Sequence, residues 1–128
     1  MDKKMIEFYA QQVVDACYRV HKELGPGLLE SVYHWCVMAE VKLRGIKADQ
    51  EVVIPVYYRG QKLNKEFRID VLIENEIILE LKAVEILLPV HKAQLISYLK
   101  LAEKKLGFLV NFHVQVIKDG IYRFVNNY

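Results

Sequence analysis

The chain has 128 residues, of which 53% are hydrophobic and 27% charged, and its formal net charge is +2. That length suits one domain with a substantial hydrophobic core, so we expect residues 1–128 to form a single domain. So small a net charge permits nucleic acid as a partner but does not by itself indicate a dedicated nucleic-acid-binding protein. No apolar run reaches the roughly 18 residues of a membrane span, and the first residues lack the apolar core of a secretory signal.

Two cysteines, Cys17 and Cys36, lie in apolar helical patterns and form no Cys-x-x-Cys pair. A structural zinc site is therefore not expected. Both residues fit reduced thiols of an intracellular protein, so a cytoplasmic location is the expectation.

Two helices are predicted before the first strand. Apolar side chains at steps of three and four indicate an amphipathic helix over residues 3–24, and Gly25 ends it. After Pro26 and Gly27 a second helix is predicted from Leu28 to Arg44. Its expected inner stripe consists of Leu29, Val32, Tyr33, Cys36 and Leu43.

The rest of the chain alternates between strand patterns and one further helix. Strands are predicted at Glu51–Tyr58, Glu66–Ile73, Ile77–Val84, Phe108–Val114 and Ile121–Val125. Pro55 suggests an edge strand or a bulge. The third helix is predicted at Val90–Leu106 with Gly107 as its cap, and Lys118–Gly120 as a hairpin turn. The order α-α-β-β-β-α-β-β predicts a mixed α/β domain.

The hairpin of the second and third strands carries the polar residues of most interest. A three-residue turn, Glu74 to Glu76, would place Asp70 opposite Glu80. Because side chains alternate along a strand, Asp70, Glu80 and Lys82 would then share one face. The expected core face consists of Ile69, Val71, Ile73, Leu79 and Leu81. A two-residue turn would shift the register by one, and the apolar alternation favours the three-residue turn.

Two carboxylates opposed across a hairpin repel each other. A divalent cation between them would remove the repulsion and use both as oxygen ligands. Lys82 could reach the same centre, to orient an attacking water or to neutralise charge at a phosphate. The spacing alone is equally compatible with a solvated strand face that carries an ordinary Glu80–Lys82 charge pattern.

The pattern D-x9-E-x-K, formed by Asp70, Glu80 and Lys82, resembles the bipartite signature of PD-(D/E)XK nucleases. Residues 27–33 read as GxxExxY, and residues 94–98 read as QxxxY after the E-x-K strand. Together these features resemble the GxxExxY protein family, a compact branch of the PD-(D/E)XK superfamily, from about His21 to the last strand. Ile69 stands where the superfamily name has proline. The resemblance implies a restriction-endonuclease-like fold, with a mixed central β-sheet flanked by helices.

The resemblance also implies roles for individual residues. Asp70 and Glu80 would bind Mg²⁺ or Mn²⁺ together with the backbone carbonyl of Leu81, and Lys82 would position the nucleophilic water. Glu30 would complete the catalytic site and is a further candidate metal ligand. The alternative for Glu30 is a carboxylate that is favoured at a helix N-terminus by the macrodipole.

Gln94 and Tyr98 lie one turn apart on a single helix face. By resemblance they would contact the substrate strand or a metal-bound water, and the alternative for Tyr98 is a core aromatic residue. His91, one turn before Gln94, is a further candidate for substrate contact. His21 is a candidate extra metal ligand, although a lone helical histidine is more often a surface or hydrogen-bonded residue.

We therefore expect a metal-dependent nuclease that hydrolyses phosphodiester bonds of nucleic acid, with DNA favoured over RNA and no membrane partner. One alternative is a non-catalytic nucleic-acid-binding or protein-interaction module on a nuclease fold. Another is an enzyme for a small phosphorylated ligand, which the lack of a GxxxxGK loop disfavours. Strandedness and the choice between endonuclease and exonuclease stay open. A homodimer through exposed edge strands would suit paired cuts.

Overall fold

The order of helices and strands in the computed structural model, which describes residues 1–128, agrees with the predicted order. The helices are α1 (Lys3–Leu24), α2 (Glu30–Leu43) and α3 (Pro89–Leu101). The strands are β1 (Ala48–Tyr58), β2 (Gln61–Ile73), β3 (Ile77–Lys82), β4 (Leu106–Asn111) and β5 (Ile121–Val125). A short 3₁₀ helix, Ile117–Gly120, precedes β5.

The five strands form one mixed sheet in the order β1-β2-β3-β4-β5. Only β3 and β4 pair in parallel, and the other neighbours are antiparallel. A parallel pair needs a long crossover connection, which α3 provides. The predicted mixed sheet flanked by helices is therefore confirmed, with β1 and β5 as its edges.

Helices cover both faces of the sheet. The larger core lies between the sheet and helices α1 and α2, and it includes Leu79 and Leu81 of β3. The smaller core lies between the sheet and α3, and it includes Ile78 of the same strand together with Leu95 and Leu99. Since successive side chains of a strand point to opposite faces, β3 is buried on both. This explains why its sequence is almost continuously apolar.

The predicted inner stripe of α2 is wrong in part. The buried residues of this helix are Tyr33, Val37 and Val41, a row at steps of four that faces the core. Leu29 and Leu43 are largely exposed, at 74% and 84%. The buried row of side chains is therefore rotated about the helix axis relative to the predicted row. Other large side chains of α2 face outward as a result.

The third helix ends at Leu101 and not at Leu106, and Gly107 lies inside β4 instead of capping the helix. The chain reverses near Glu103, which has a positive φ of 54°. A Cβ at Gly107 would lie 3.1 Å from Leu95 Cδ1 and 3.3 Å from Leu99 Cδ2. The glycine thus allows α3 to pack closely on β4, and its role is tertiary.

Two strand ends also differ from the prediction. β3 stops at Lys82 and not at Val84, because the Asn111 side chain takes over both backbone groups of Val84. Asn111 Oδ1 accepts from the Val84 N–H at 3.0 Å, and its Nδ2 donates to the Val84 carbonyl at 2.9 Å. β4 ends at this same Asn111 and not at Val114, and the predicted turn before β5 is part of the 3₁₀ helix.

Candidate active site

The acidic pair lies where β2 and β3 separate. Backbone pairing between these strands runs from Ile73 opposite Ile77 to Val71 opposite Leu79. This confirms the predicted three-residue turn, and the same register places Asp70 opposite Glu80. The pairing ends just before the two acids, so their side chains occupy the point at which the strands part.

At that point the two side chains replace the backbone ladder. The Asp70 N–H donates to Glu80 Oε2 at 2.8 Å, and the Leu81 N–H donates to Asp70 Oδ2 at 3.0 Å. Each carboxyl group therefore uses one oxygen to hold the opposite strand. These bonds leave the second oxygen of each group for a ligand.

Glu80 is unusually placed for an ionisable side chain, since only 7% of it is exposed. Burial, and then the negative charge of Asp70, raise the pKa of the Glu80 carboxyl to about 9. The same pair affects Tyr98, because burial and the charges of Glu80 and Asp70 raise the pKa of its hydroxyl. The fold thus holds two acids together against both desolvation and repulsion.

The predicted core face of β2 is wrong at one residue. Val71 belongs to the larger core, whereas Ile69 belongs to the smaller core across the sheet. The side-chain alternation therefore breaks at Asp70, between them. The neighbouring strand is irregular at the same level, because Glu51, which the register places opposite Asp70, has a φ of 54°. This break lets Asp70 contact Glu80 and still line a cavity on the α2 side.

That cavity has a volume of about 980 Å³ and lies between α2, β1 and Asp70. Glu30, the first residue of α2, lines it together with Asp70. The structure therefore brings Glu30 to the same cavity, although its side chain is exposed. No three His, Cys, Asp or Glu side chains converge closely enough to form a metal cluster.

The glycine and the tyrosine of the GxxExxY segment shape the turn that leads into α2. Gly27 adopts a φ of 100°, which favours glycine. The buried Tyr33 hydroxyl donates to the Gly25 carbonyl and accepts from the Leu28 N–H, and its ring stacks on Phe112 with centroids 4.6 Å apart. Tyr33 thus holds the turn before α2, which determines where Glu30 begins the helix.

Leu81 and Lys82 follow the acidic pair on β3. The N–H and carbonyl of a strand residue point to the same edge, so the Leu81 carbonyl faces the β2 side with the N–H that binds Asp70. Lys82 is half-buried, and its positive charge acts on Glu80 in the direction that lowers the carboxyl pKa. Both groups are therefore close to the acids.

The candidate substrate residues on α3 have different surroundings. Tyr98 is buried and its ring lies 5.5 Å from that of Phe67, so it is a core residue beside the acids. Gln94 is exposed one turn away. His91 caps its own helix, because its Nδ1 accepts from the Leu88 N–H at 3.1 Å.

His21 lies apart from the acidic pair. Its Nε2 donates to the Val114 carbonyl at 2.7 Å, and its ring is tilted against Phe112. It lines a separate cavity that contains neither Asp70 nor Glu30. The structure therefore does not bring His21 to the other predicted ligands.

The site residues predicted from the sequence did not include several residues of the cavity wall: His34, Trp35, Gln50 and Glu51. His34 Nε2 donates to Gln50 Oε1 at 2.8 Å, which joins α2 to β1. Trp35 is 72% exposed. The only sequence signal for an exposed Trp35 was its position just off the row that begins at Tyr33. That signal can be interpreted only when the buried face of α2 is known.

The donor set of the acidic pair fits a divalent cation. Carboxylate and carbonyl oxygens are the ligands that Mg²⁺ and Mn²⁺ prefer. A cation between Asp70 and Glu80 would offset the two largest causes that raise the Glu80 pKa, which are burial and the Asp70 charge. The paired acids are therefore better suited to a bound metal than to a role in folding alone.

The comparisons with known proteins concern the family and the fold. A family model described as the PD-(D/E)XK nuclease superfamily matches residues 7–124. A crystal structure of a protein called SSO0001 is similar to 73% of this chain, with a TM-score of 0.51 and 25% sequence identity. The match covers 47% of that protein, so this chain spans about half its length. No curated protein matches the chain, and none of its helices combines the length and apolarity of a membrane span.

Proposed function

The chain belongs to the PD-(D/E)XK nuclease superfamily, and from that premise we propose that it hydrolyses phosphodiester bonds of nucleic acid with Mg²⁺ or Mn²⁺. We propose DNA as its substrate and the GxxExxY branch as its subfamily. The observation that carries the proposal is the pair formed by the half-buried Asp70 and the buried Glu80, with Lys82 beside it. Nucleases of this superfamily generally use divalent metal ions.

In this proposal Asp70, Glu80 and the Leu81 carbonyl hold the metal. When bound, a divalent cation lowers the pKa of the water that it coordinates and stabilises negative charge on a phosphate. Lys82 would donate a hydrogen bond that orients the attacking water toward the phosphorus. Its charge would stabilise the phosphate while the bond to the water oxygen forms and the bond to the leaving oxygen breaks. Glu30 would contribute a third carboxylate from the cavity wall, where it would orient water or a further cation.

A basic hairpin supports nucleic acid as the substrate. β1 and β2 stay paired well beyond the point where β2 separates from β3, and we call residues 52–68 the hairpin arm. The arm carries four basic side chains and one acidic one, a net charge of +3, whereas the whole chain carries +2. Its Phe67 contacts Tyr98 beside the acids, so the arm begins at the site. Such a charge distribution favours a phosphate backbone.

The test is cleavage of single- and double-stranded DNA and RNA by the purified chain with Mg²⁺, with Mn²⁺ and with EDTA. We expect cleavage only with the metals, and loss of cleavage in Asp70→Asn and Glu80→Gln. Calorimetry should show metal binding to the wild type and not to these variants. The matched control is Asp119→Asn, a distant exposed acid. Absence of cleavage of every substrate would overturn the proposal in favour of a non-catalytic binding module.

A further inference from the structure

The cavity beside Asp70 is longer than a metal site requires. One face of α2 forms its wall from Glu30 in the first turn to Lys42 in the last. The rise of an α-helix makes this wall about 18 Å long. Asp70 of the acidic pair lines the same groove, and so do Lys42 and Lys47. Acids that bind a metal and lysines that bind phosphates suit a chain of nucleotides.

Trp35 is the largest side chain of this wall, and packing does not explain it. The indole is 72% exposed, while the helix buries Tyr33, Val37 and Val41 instead. Single exposed apolar residues are common on protein surfaces. Among the exposed large apolar side chains of α2, however, Trp35 lines the groove, while Val32 and Leu43 do not. The helical rise places Trp35 about 7.5 Å along the axis from Glu30, within reach of a nucleotide next to the acids.

We infer that the groove between α2 and β1 binds an unpaired strand of nucleic acid, with one base stacked on Trp35. This deepens the proposed nuclease function by naming its substrate class, and it rests on that function for the position of the cleaved phosphate. Stacking on an aromatic side chain requires a base with a free face, which a paired duplex does not present. Lys42 and Lys47 contact the phosphates that follow.

The single tryptophan of the chain makes the inference directly testable. Trp35 fluorescence is titrated in EDTA, where no metal supports cleavage, with a mixed-sequence DNA 12-mer and with the same sequence as a duplex. We expect the single strand to quench the fluorescence and the duplex to quench it at least tenfold less effectively. Equal quenching by the duplex, or no quenching by the single strand, overturns the inference.

Variants separate stacking from general damage. Trp35→Ala should weaken single-strand binding and raise KM about tenfold, the size of one lost base stack, with little change in kcat. Trp35→Phe should recover most of the affinity. The control is Leu43→Ala, which removes an even more exposed apolar side chain from the same helix but outside the cavity. Wild-type KM in Trp35→Ala overturns the inference.

The two proposals fail in different ways. Quenching by the single strand without cleavage of any substrate would support the groove and overturn the nuclease activity. Metal-dependent cleavage without any change in Trp35 fluorescence would support the nuclease and overturn the groove.

Discussion

Lys82 is a cation beside the place where a divalent metal would bind. Its effect there distinguishes a nuclease from a protein that only binds metal. For metal binding alone its charge is unfavourable, because like charges repel. For cleavage it stabilises charge that builds up mainly in the transition state. The half-buried position of Lys82 next to Glu80 strengthens either effect, since water screens it less.

We therefore expect Lys82→Ala to keep the fold, to bind Mg²⁺ at least as tightly as the wild type and to lose about 100-fold in cleavage rate, which corresponds to about 3 kcal/mol. Calorimetric metal titration and single-turnover cleavage on the same preparation measure both effects. Lys118→Ala, an exposed lysine of the 3₁₀ helix, is the control. Wild-type cleavage in Lys82→Ala would remove the catalytic role of this residue.

At the scale of elements, most of the hairpin arm extends beyond both cores, and only its base packs against one of them. Most of its side chains are exposed, and they include the aromatic residues Tyr57 and Tyr58 near the turn. A β-ribbon of this kind is stabilised at its base, where Ile54 and Phe67 lie against the α3 side. Its basic residues are thus free to follow a phosphate backbone.

Neutralising the arm in Lys62→Gln/Lys65→Gln should weaken nucleic-acid binding for all sequences alike. The slope of log Kobs against log salt should become shallower by about 1 to 2 units, because each lost phosphate contact contributes roughly 0.7 to 0.9. Fluorescence anisotropy from 50 to 200 mM salt measures the slope. Lys4→Gln/Lys118→Gln, equal in charge but away from the arm, should leave it unchanged, and a slope unchanged in both variants would refute a role for the arm.

At the scale of the whole molecule, one ion pair joins the two ends of the chain. Arg123 of β5 donates to both carboxylate oxygens of Glu7 in α1, at 3.0 and 2.8 Å, and the Tyr128 hydroxyl donates to the same group. The hydrogen bonds from Arg123 and Tyr128 lower the pKa of the Glu7 carboxyl. The contact closes the first helix onto the last strand.

Because the folded pKa of Glu7 lies below its unfolded value, the contact stabilises the fold above that unfolded value, about 4.3. The contribution is lost as the pH falls through the folded pKa. Glu7→Gln should therefore lower the free energy of unfolding at pH 7 by about 0.5 kcal/mol, as for other exposed ion pairs. The difference should shrink toward pH 3 in urea denaturation. Glu23→Gln, on the same helix, is the control, and a difference constant with pH would contradict this origin.

The sequence by itself determined the features that depend on local repetition. Alternating apolar residues and a three-residue turn predicted the register that places Asp70 opposite Glu80, and the register is confirmed. Steps of three and four predicted the helices, and their order is confirmed. These patterns are readable because side-chain direction in a strand or helix follows from the backbone alone.

Only the tertiary structure decided the features that depend on distant partners. Gly107 is predicted to cap the third helix, but parallel pairing with β3 places it inside a strand. His21 is held by a carbonyl 93 residues away. Ile69 packs in the smaller core instead of the predicted one because β2 and β3 separate at Asp70. Trp35 faces a groove because α2 buries a different row of side chains from the predicted one. Burial depends on which elements meet, and a local pattern does not contain that information.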